Sequence, residues 1–358
     1  MNISTEHRLV RESCGFFFME GWSLVSVTGK DAFLYLQTQT TNDILLLPIG
    51  QGQNSAIVDR KGRLIATFSI HKTSETSAFI LIEKIQRPKL LDHLNTYLFR
   101  EDVKFQAKDD SLLALQGPKS ALVSQNLVNQ SPPEKLNDIA EYCKEKLLMI
   151  NKSCTGEEGF IIGFNPTMKE SITALALKAG EKYGISSIDS QTQEILRIEA
   201  GIPLYGKDMG EDNILPETGL EQTSVSYNKG CYIGQEVITR IKTYGSPSIA
   251  LMGLIGDALP PYNSEMRLDG KKFGTIKSST YSFTLGKNIA LAYLQKELRS
   301  PDMDKNVMVD DIPYTVKTAL LPFYQARSRK DHALRLYTEA LKHYKEVENL
   351  DKPIELLR

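Results

Sequence analysis

The stretch Tyr227-Asn228-Lys229-Gly230-Cys231-Tyr232-Ile233-Gly234-Gln235-Glu236-Val237 is the most informative in the chain. Ile233, Val237, Ile238 and Ile241 recur at helical spacing, so a helix is predicted from about the middle of this segment. That places Cys231 at or just before a helix N-terminus, with Asn228 as a candidate cap. Backbone N–H groups and the helix dipole favour a thiolate at such a position, and Lys229, two residues away, adds positive charge. Gly230 and Gly234 leave the backbone open to close approach by a ligand or partner. The plainer alternative is that Cys231 is a small buried hydrophobe in a glycine-rich turn.

Working upstream, Gly201-Ile202-Pro203-Leu204-Tyr205-Gly206-Lys207-Asp208 has the spacing of a phosphate-binding loop but ends in Asp where a Ser or Thr should hold magnesium. It also follows a helix where a strand is required, and Pro203 removes a backbone donor. Asp189 or Ser190 is expected to cap the preceding helix, which carries Ile195, Leu196 and Ile198 and stops at Gly201 and Pro203. Further back, Ser23 to Val27 alternates as a half-buried strand does, with Thr28 and Asp31 as a capping pair for the helix after it. Asn54 to Asp59 and Arg63 to Ile70 read as a hairpin around Lys61-Gly62, and Ala78 to Glu83 as another strand. Pro88 opens a helix. Leu112 to Leu115, Leu147 to Asn151 and Phe160 to Phe164 read as strands, and Glu170 to Lys182 as a helix stopped by Gly184. Downstream, Ala250 to Tyr314 carries many short strands with Gly, Pro and Asn turns, the pattern of a small β-barrel. Ser328 to Asn349 reads as an amphipathic helix with Leu334, Tyr337, Leu341 and Tyr344 on one stripe.

Composition narrows the function classes. The chain has 358 residues, and 43 Lys and Arg balance 44 Asp and Glu to a net charge of -1. A dedicated nucleic-acid binder would carry a basic excess, so no direct nucleic-acid partner is expected. No apolar run is long enough for a membrane span, and the N-terminus lacks the pattern of a secretory signal, which predicts a cytoplasmic protein with no membrane partner. The four cysteines, Cys14, Cys143, Cys154 and Cys231, show no CxxC spacing, and the five histidines are scattered, so no resident metal site is expected.

The segment Lys229-Gly230-Cys231-Tyr232-Ile233-Gly234-Gln235-Glu236 resembles the K-G-C-[FY]-x-G-Q-E signature of the YgfZ family, a branch of the superfamily of the glycine cleavage T-protein, or aminomethyltransferase. Supporting matches run from about Val25 to Tyr324. They include Gly29 to Leu34, Thr41-Asn42-Asp43, Leu115 to Pro118, Thr155 to Phe160, Pro216-Glu217 with Gly219-Leu220, and the block Arg197-Ile198-Glu199-Ala200-Gly201-Ile202-Pro203-Leu204-Tyr205-Gly206. The near phosphate loop is part of that block. The resemblance implies an α+β fold: a three-lobed ring around a central folate channel, with a C-terminal β-barrel and an added C-terminal helix. Residues 1–245 would form two interleaved, discontinuous lobes, 246–325 the barrel and 326–358 the helical tail.

The same resemblance implies a folate-binding protein that assists maturation or repair of iron–sulfur proteins, among them radical enzymes that modify tRNA. Its ligand would be tetrahydrofolate or a derivative, with a transient iron–sulfur cluster as a further cofactor and iron–sulfur client or assembly proteins as partners. Cys231 and Lys229 would be the reactive pair. Glu199 would hold the pterin ring, with Arg197, Tyr205, Gly230, Gln235, Glu236 and Arg240 around the ligand. One carboxylate can accept both a pterin ring N–H and its exocyclic amine. The aminomethyltransferase carries an Asp pair after a Gly-Gly turn, one of them catalytic, and these positions fall near Ile65 and Ala66 here. Neither side chain can move a proton. A folate-dependent aminomethyl or methyl transferase independent of Cys231 is the alternative reading. A non-catalytic protein that has lost the ligand is a third.

Overall fold

A computed structural model of the chain describes residues 2–142, 147–301 and 304–326. The expected C-terminal amphipathic helix lies outside these residues. In chain order, helix α1 (Ile3–Glu12) leads into strand β1 (Gly15–Phe18), which belongs to a sheet completed only later. The first lobe follows: β2 (Trp22–Thr28), α2 (Ala32–Gln39), β3 (Gly52–Val58), β4 (Leu64–Ser74), β5 (Ser77–Glu83), α3 (Arg87–Thr96) and β6 (Lys104–Lys108). Its five strands lie in the order β3-β4-β5-β2-β6. The chain then returns to β1 through β7 (Ser111–Gln116), α4 (Ser120–Val128), β8 (Ile139–Tyr142), β9 (Leu147–Asn151), β10 (Gly159–Phe164), α5 (Lys169–Ala179) and β11 (Ser186–Ser187). This second sheet has the order β11-β1-β7-β10-β9-β8, so the first lobe is inserted between β1 and β7.

Helices α6 (Ser190–Glu199), α7 (Glu221–Ser224) and α8 (Gln235–Tyr244) connect this pair of lobes to the third. The third lobe is a closed barrel of β12 (Ile249–Gly256), β13 (Glu265–Leu268), β14 (Lys271–Ser282), β15 (Lys287–Gln295), β16 (Asp304–Val309) and β17 (Ile312–Ala319), in the order β12-β15-β14-β13-β16-β17. The α+β class and the C-terminal barrel therefore stand as the sequence implies.

Alternation explains how the first sheet is used. One face places Val25, Val27, Ala66, Phe68, Ile70, Ile80 and Ile82 beneath Phe33, Leu36, Leu90 and Leu94 of α2 and α3. On the other face, Leu24 and Leu81 pack against Leu112, Ala114, Leu148 and Ile161 of the second sheet. Fully burying one such aliphatic side chain is worth about 1.5–3 kcal/mol, so both faces of this sheet are committed. Among the described residues no helix is long and apolar enough to cross a membrane.

Several local expectations change in detail. Asp31 occupies the cap position of α2 but makes no side-chain cap bond. Its Oδ2 instead accepts from the Asp102 backbone N–H at 2.9 Å. The helix expected over Glu170–Lys182 ends at Ala179, capped by Gly180, and a separate 3-10 turn fills Glu181–Tyr183 before Gly184 takes φ 63°. Helix α1 and strand β6 are not among the sequence expectations.

Candidate active site

The Lys229 segment folds differently from its sequence expectation. Helix α8 starts at Gln235 with Gly234 as its cap residue at φ 82°, so neither Asn228 nor Cys231 sits at the helix end. The reason is steric. A Cβ on Gly234 would stand 2.3 Å from the Asp59 carbonyl oxygen, so only glycine lets this segment dock on the β3–β4 turn. That turn is held by Asp59, whose Oδ1 accepts from the N–H groups of Lys61 and Arg63 at 2.8 and 2.9 Å. Cys231 and Gly230 are exposed, as are Glu236 and Arg240, and Gln235 is half-buried in the first turn of α8.

Lys229 is buried, and its ammonium is fully used. It donates to the carbonyls of Gln37 at 2.7 Å, Thr40 at 2.6 Å and Asn42 at 2.8 Å. These acceptors lie at and just past the C-terminal end of α2, where carbonyls lack helical partners and the dipole favours a cation. Burial pushes the Lys229 pKa down to about 8, and Asp43 acts in the opposite sense. An ammonium has three donors, so none remains for a thiol or an anionic ligand. Lys229 is a clamp on Thr41-Asn42-Asp43. Thr41 is also held from α7, its Oγ1 donating to the Ser224 carbonyl at 2.6 Å.

Glu199 sits at the end of α6 as expected and is completely buried. Its Oε2 lies 2.8 Å from His7 Nε2 and accepts from Arg11 at 2.5 Å, while Oε1 accepts from the Ser282 hydroxyl at 2.5 Å and the Thr284 N–H at 3.2 Å. Burial raises its pKa, but the His7 hydrogen bond, the Arg11 charge and the Ser282 hydroxyl outweigh that and hold it at about 2. All the acceptor positions of this carboxylate face protein donors from α1 and the β14–β15 turn. Arg197 is equally committed. Its Nε and one terminal nitrogen bridge Glu194, and its guanidinium also donates to Ser278 Oγ, the Ile202 carbonyl and Asp208 Oδ2. Asp208, fully buried, accepts from the N–H groups of Leu204 and Ser278 besides. The segment that resembled a phosphate loop is thus a turn closed on its own aspartate.

The structure does bring three of the sequence blocks together. Tyr205, Tyr232, Met209, Leu215 and Ile238 form one cluster with Ala56, Val58 and Leu64 of the β3–β4 hairpin. The Tyr232 hydroxyl is buried in it without a hydrogen-bond partner among the described residues, and burial raises its pKa to about 12. The Tyr205 hydroxyl donates to the Ile65 carbonyl at 3.4 Å.

At the positions expected to have lost an aspartate, Ala66 points into the apolar core under α2 and α3. The next residue, Thr67, is on the opposite face by alternation. Its N–H and hydroxyl both donate to Gln86 Oε1, at 2.7 and 3.3 Å. Gln86 is fully buried and passes the link on, its Nε2 donating to Glu83 Oε1 at 3.3 Å. The Tyr205 N–H donates to the same oxygen at 3.4 Å. Glu83 Oε2 makes no hydrogen bond among the described residues. Burial pushes the Glu83 carboxyl up to about 7, with the Tyr205 N–H and Arg197 lowering it and Asp208 raising it. Sequence reading passed over Glu83 because it stands as the last residue of an ordinary apolar strand. Its only signal is that a carboxyl closes an apolar strand, where it stays half-buried.

Residues 1–229 match the GCVT N-terminal domain, and residues 250–325 match the glycine cleavage T-protein C-terminal barrel domain. The chain is 28% identical over 340 residues to an aminomethyltransferase of Caldanaerobacter subterraneus subsp. tengcongensis, covering 92% of this chain and 90% of the relative. It is 28% identical over 332 residues to the aminomethyltransferase of Bacillus subtilis, covering 90% and 91%. The crystal structure of the glycine cleavage system aminomethyltransferase T from Bartonella henselae superposes with a TM-score of 0.83 at 20% identity, covering 91% of this chain and 90% of that one. These findings correct the functional reading drawn from the Cys231 signature. The relatives are named for aminomethyl transfer, and iron–sulfur maturation, tRNA modification, a transient cluster and iron–sulfur clients find no support among them. The geometry of the expected reactive pair points the same way, because Lys229 is spent on carbonyls and Cys231 precedes the cap residue of α8 by three positions. With both of its matching regions and its three lobes accounted for, the chain belongs to the glycine cleavage T-protein family.

Proposed function

We propose that this protein is a tetrahydrofolate-dependent aminomethyl transferase that works with other glycine cleavage components in the cytoplasm. The observation that carries this reading is the match to relatives named aminomethyltransferase across nine-tenths of both chains. Tetrahydrofolate would supply two secondary amine nitrogens that capture a one-carbon unit. The residues present fit such a ligand in kind. Tyr205 and Tyr232 are aromatic neighbours in one cluster, and the buried Tyr232 hydroxyl has no hydrogen-bond partner among the described residues. A buried hydroxyl left unpaired costs about 1–3 kcal/mol, which a polar ring edge would recover.

In this reading the chain's own residues divide the work. Tyr205 and Tyr232 would bind the ring and exclude water. Lys229 would hold Thr41-Asn42-Asp43 in place, and Arg197 and Glu199 would lock α6 to the barrel and to α1. Cys231 has no role in the transfer. The reading is tested by supplying purified protein with tetrahydrofolate and an aminomethyl-loaded carrier. Ammonia release that requires the protein and both substrates is expected. Ammonia release no faster than without protein would refute it.

A further inference from the structure

We propose that Glu83 is the proton-carrying carboxyl of this site, standing in for the aspartate absent from β4. The inference rests on the transferase reading above. It begins with geometry. Ala66 is turned into the core and Ile65 offers only its carbonyl, to Tyr205. On the opposite face Thr67 is tied through one buried amide, Gln86, to the Glu83 carboxyl at the end of the neighbouring central strand. Glu83 also touches the Tyr205 backbone, and so joins the cluster that holds both tyrosines.

The two oxygens of Glu83 are not equivalent. Oε1 takes both donors, at 3.3 and 3.4 Å, and Oε2 takes none among the described residues. Both contacts are long, so neither strongly favours the ionised form. Among the carboxylates buried near this junction, Glu199 is saturated by four donors and Asp208 by Arg197 and two backbone N–H groups, while Glu217 takes the Asn213 amide and the Ile214 N–H on one oxygen and makes no hydrogen bond to β4 among the described residues. The charged groups acting on Glu83 are Arg197 from α6 and Asp208 from the turn after it, and these oppose each other. The carboxyl is consequently left near neutrality by burial, the condition in which a group both accepts and donates a proton at ordinary pH.

The chemistry needs such a group. A donor X–CH2–NH2 and the N5–H and N10–H of tetrahydrofolate give the N5,N10-methylene bridge, NH3 and X–H. Electrons balance without a redox partner, and the two N–H protons must move. The Glu83 carboxylate takes one of them from the attacking nitrogen as the C–N bond forms. It returns that proton to the amine as the C–NH2 bond breaks, and the second proton leaves with X. Glu83 ends as it began.

The test is a single-turnover rate profile over pH for wild-type protein, Glu83→Gln and the double variant Glu83→Gln/Thr67→Asp, with folate affinity measured in parallel. Wild type should show a limb near pH 7. Glu83→Gln should lose about 100-fold or more in rate and lose that limb, with folate affinity within about threefold of wild type. The double variant returns a carboxyl to β4 on the face that Thr67 shares with Glu83, and it should recover at least about tenfold. Wild-type rate and profile in Glu83→Gln would overturn the assignment while leaving the transferase reading intact. Absence of turnover in the wild type would remove that reading itself, and this assignment with it. If Glu83→Gln does not fold, Glu83→Asp decides: a displaced limb with a slower rate supports the role, and an unchanged rate and limb overturn it.

Discussion

Replacing Lys229 by Met removes the ammonium while keeping most of its length. Three carbonyls then lose a donor: Thr40 is fully buried, and Gln37 and Asn42 are half-buried. Leaving a buried acceptor unpaired costs about 1–3 kcal/mol, and half-buried ones recover part of this from water, so the three together amount to about 3–6 kcal/mol. Against this, the substitution relieves a buried charge. The Lys229 pKa falls from the ordinary 10.5 to about 8, and at about 1.4 kcal/mol per pKa unit holding the charge costs the folded state on the order of 3 kcal/mol. The lost hydrogen bonds win by a small margin, and Lys229→Met should be about 0–3 kcal/mol less stable at pH 7. The gap should widen as pH rises. Between about pH 8 and 10.5 the unfolded chain still binds a proton on this lysine that the folded chain has released, so wild type gains stability there and the Met variant does not. Denaturant melts of both proteins at pH 7 and pH 9.5, with hydrogen exchange of the Thr41–Asp43 amides, check both parts. Equal stability at both pH values and unchanged protection of those amides would refute the clamp.

Other outcomes follow from the same structure. Glu199→Gln should cost about 1.5–3 kcal/mol at pH 7, because it removes one of the two buried carboxylates that pair with Arg11 and the charge that His7 and Ser282 face. Since Glu199 is held at about 2, the difference from wild type should be complete above about pH 4.5 and vanish as pH falls through 2, a trend that acid-series melts would show. Gly234→Ala should lose at least about 2 kcal/mol, since it combines φ 82° with a Cβ 2.3 Å from a backbone oxygen, and thermal melts report it directly. Cys231→Ser should change stability by less than about 0.5 kcal/mol and leave folate affinity and transfer rate as they are, because the thiol is exposed and bonds to nothing described. A large loss of turnover in that variant would contradict a purely structural role for the segment around it.

What was legible in the sequence was what is local. The Lys61-Gly62 hairpin, the Asp189 cap, the strand Ser77–Glu83 and the barrel turns each depend on residues a few positions apart, so period and turn chemistry reveal them. The site depends on pairs that no local pattern encodes. Lys229 meets carbonyls 187 to 192 residues earlier in the chain, and Glu199 meets a histidine 192 residues earlier. The motif around Cys231 pointed to the right superfamily, whose relatives matched here are named for aminomethyl transfer. Its most chemically suggestive atom, the sulfur, is exposed, while its lysine and its second glycine, Gly234, have structural tasks. Conversely, Glu83 looks ordinary in sequence. Only the sheet register, which sets β4 beside β5, and the buried Gln86 bridge reveal it as a neighbour of Thr67.

Carbon tracking tests the transferase account most directly. With a 13C-labelled aminomethyl donor and tetrahydrofolate, the account predicts that the label appears in the methylene bridge between N5 and N10, with one ammonia released for each bridge formed. Label remaining on the donor, in protein shown to be folded and to bind folate, would contradict it.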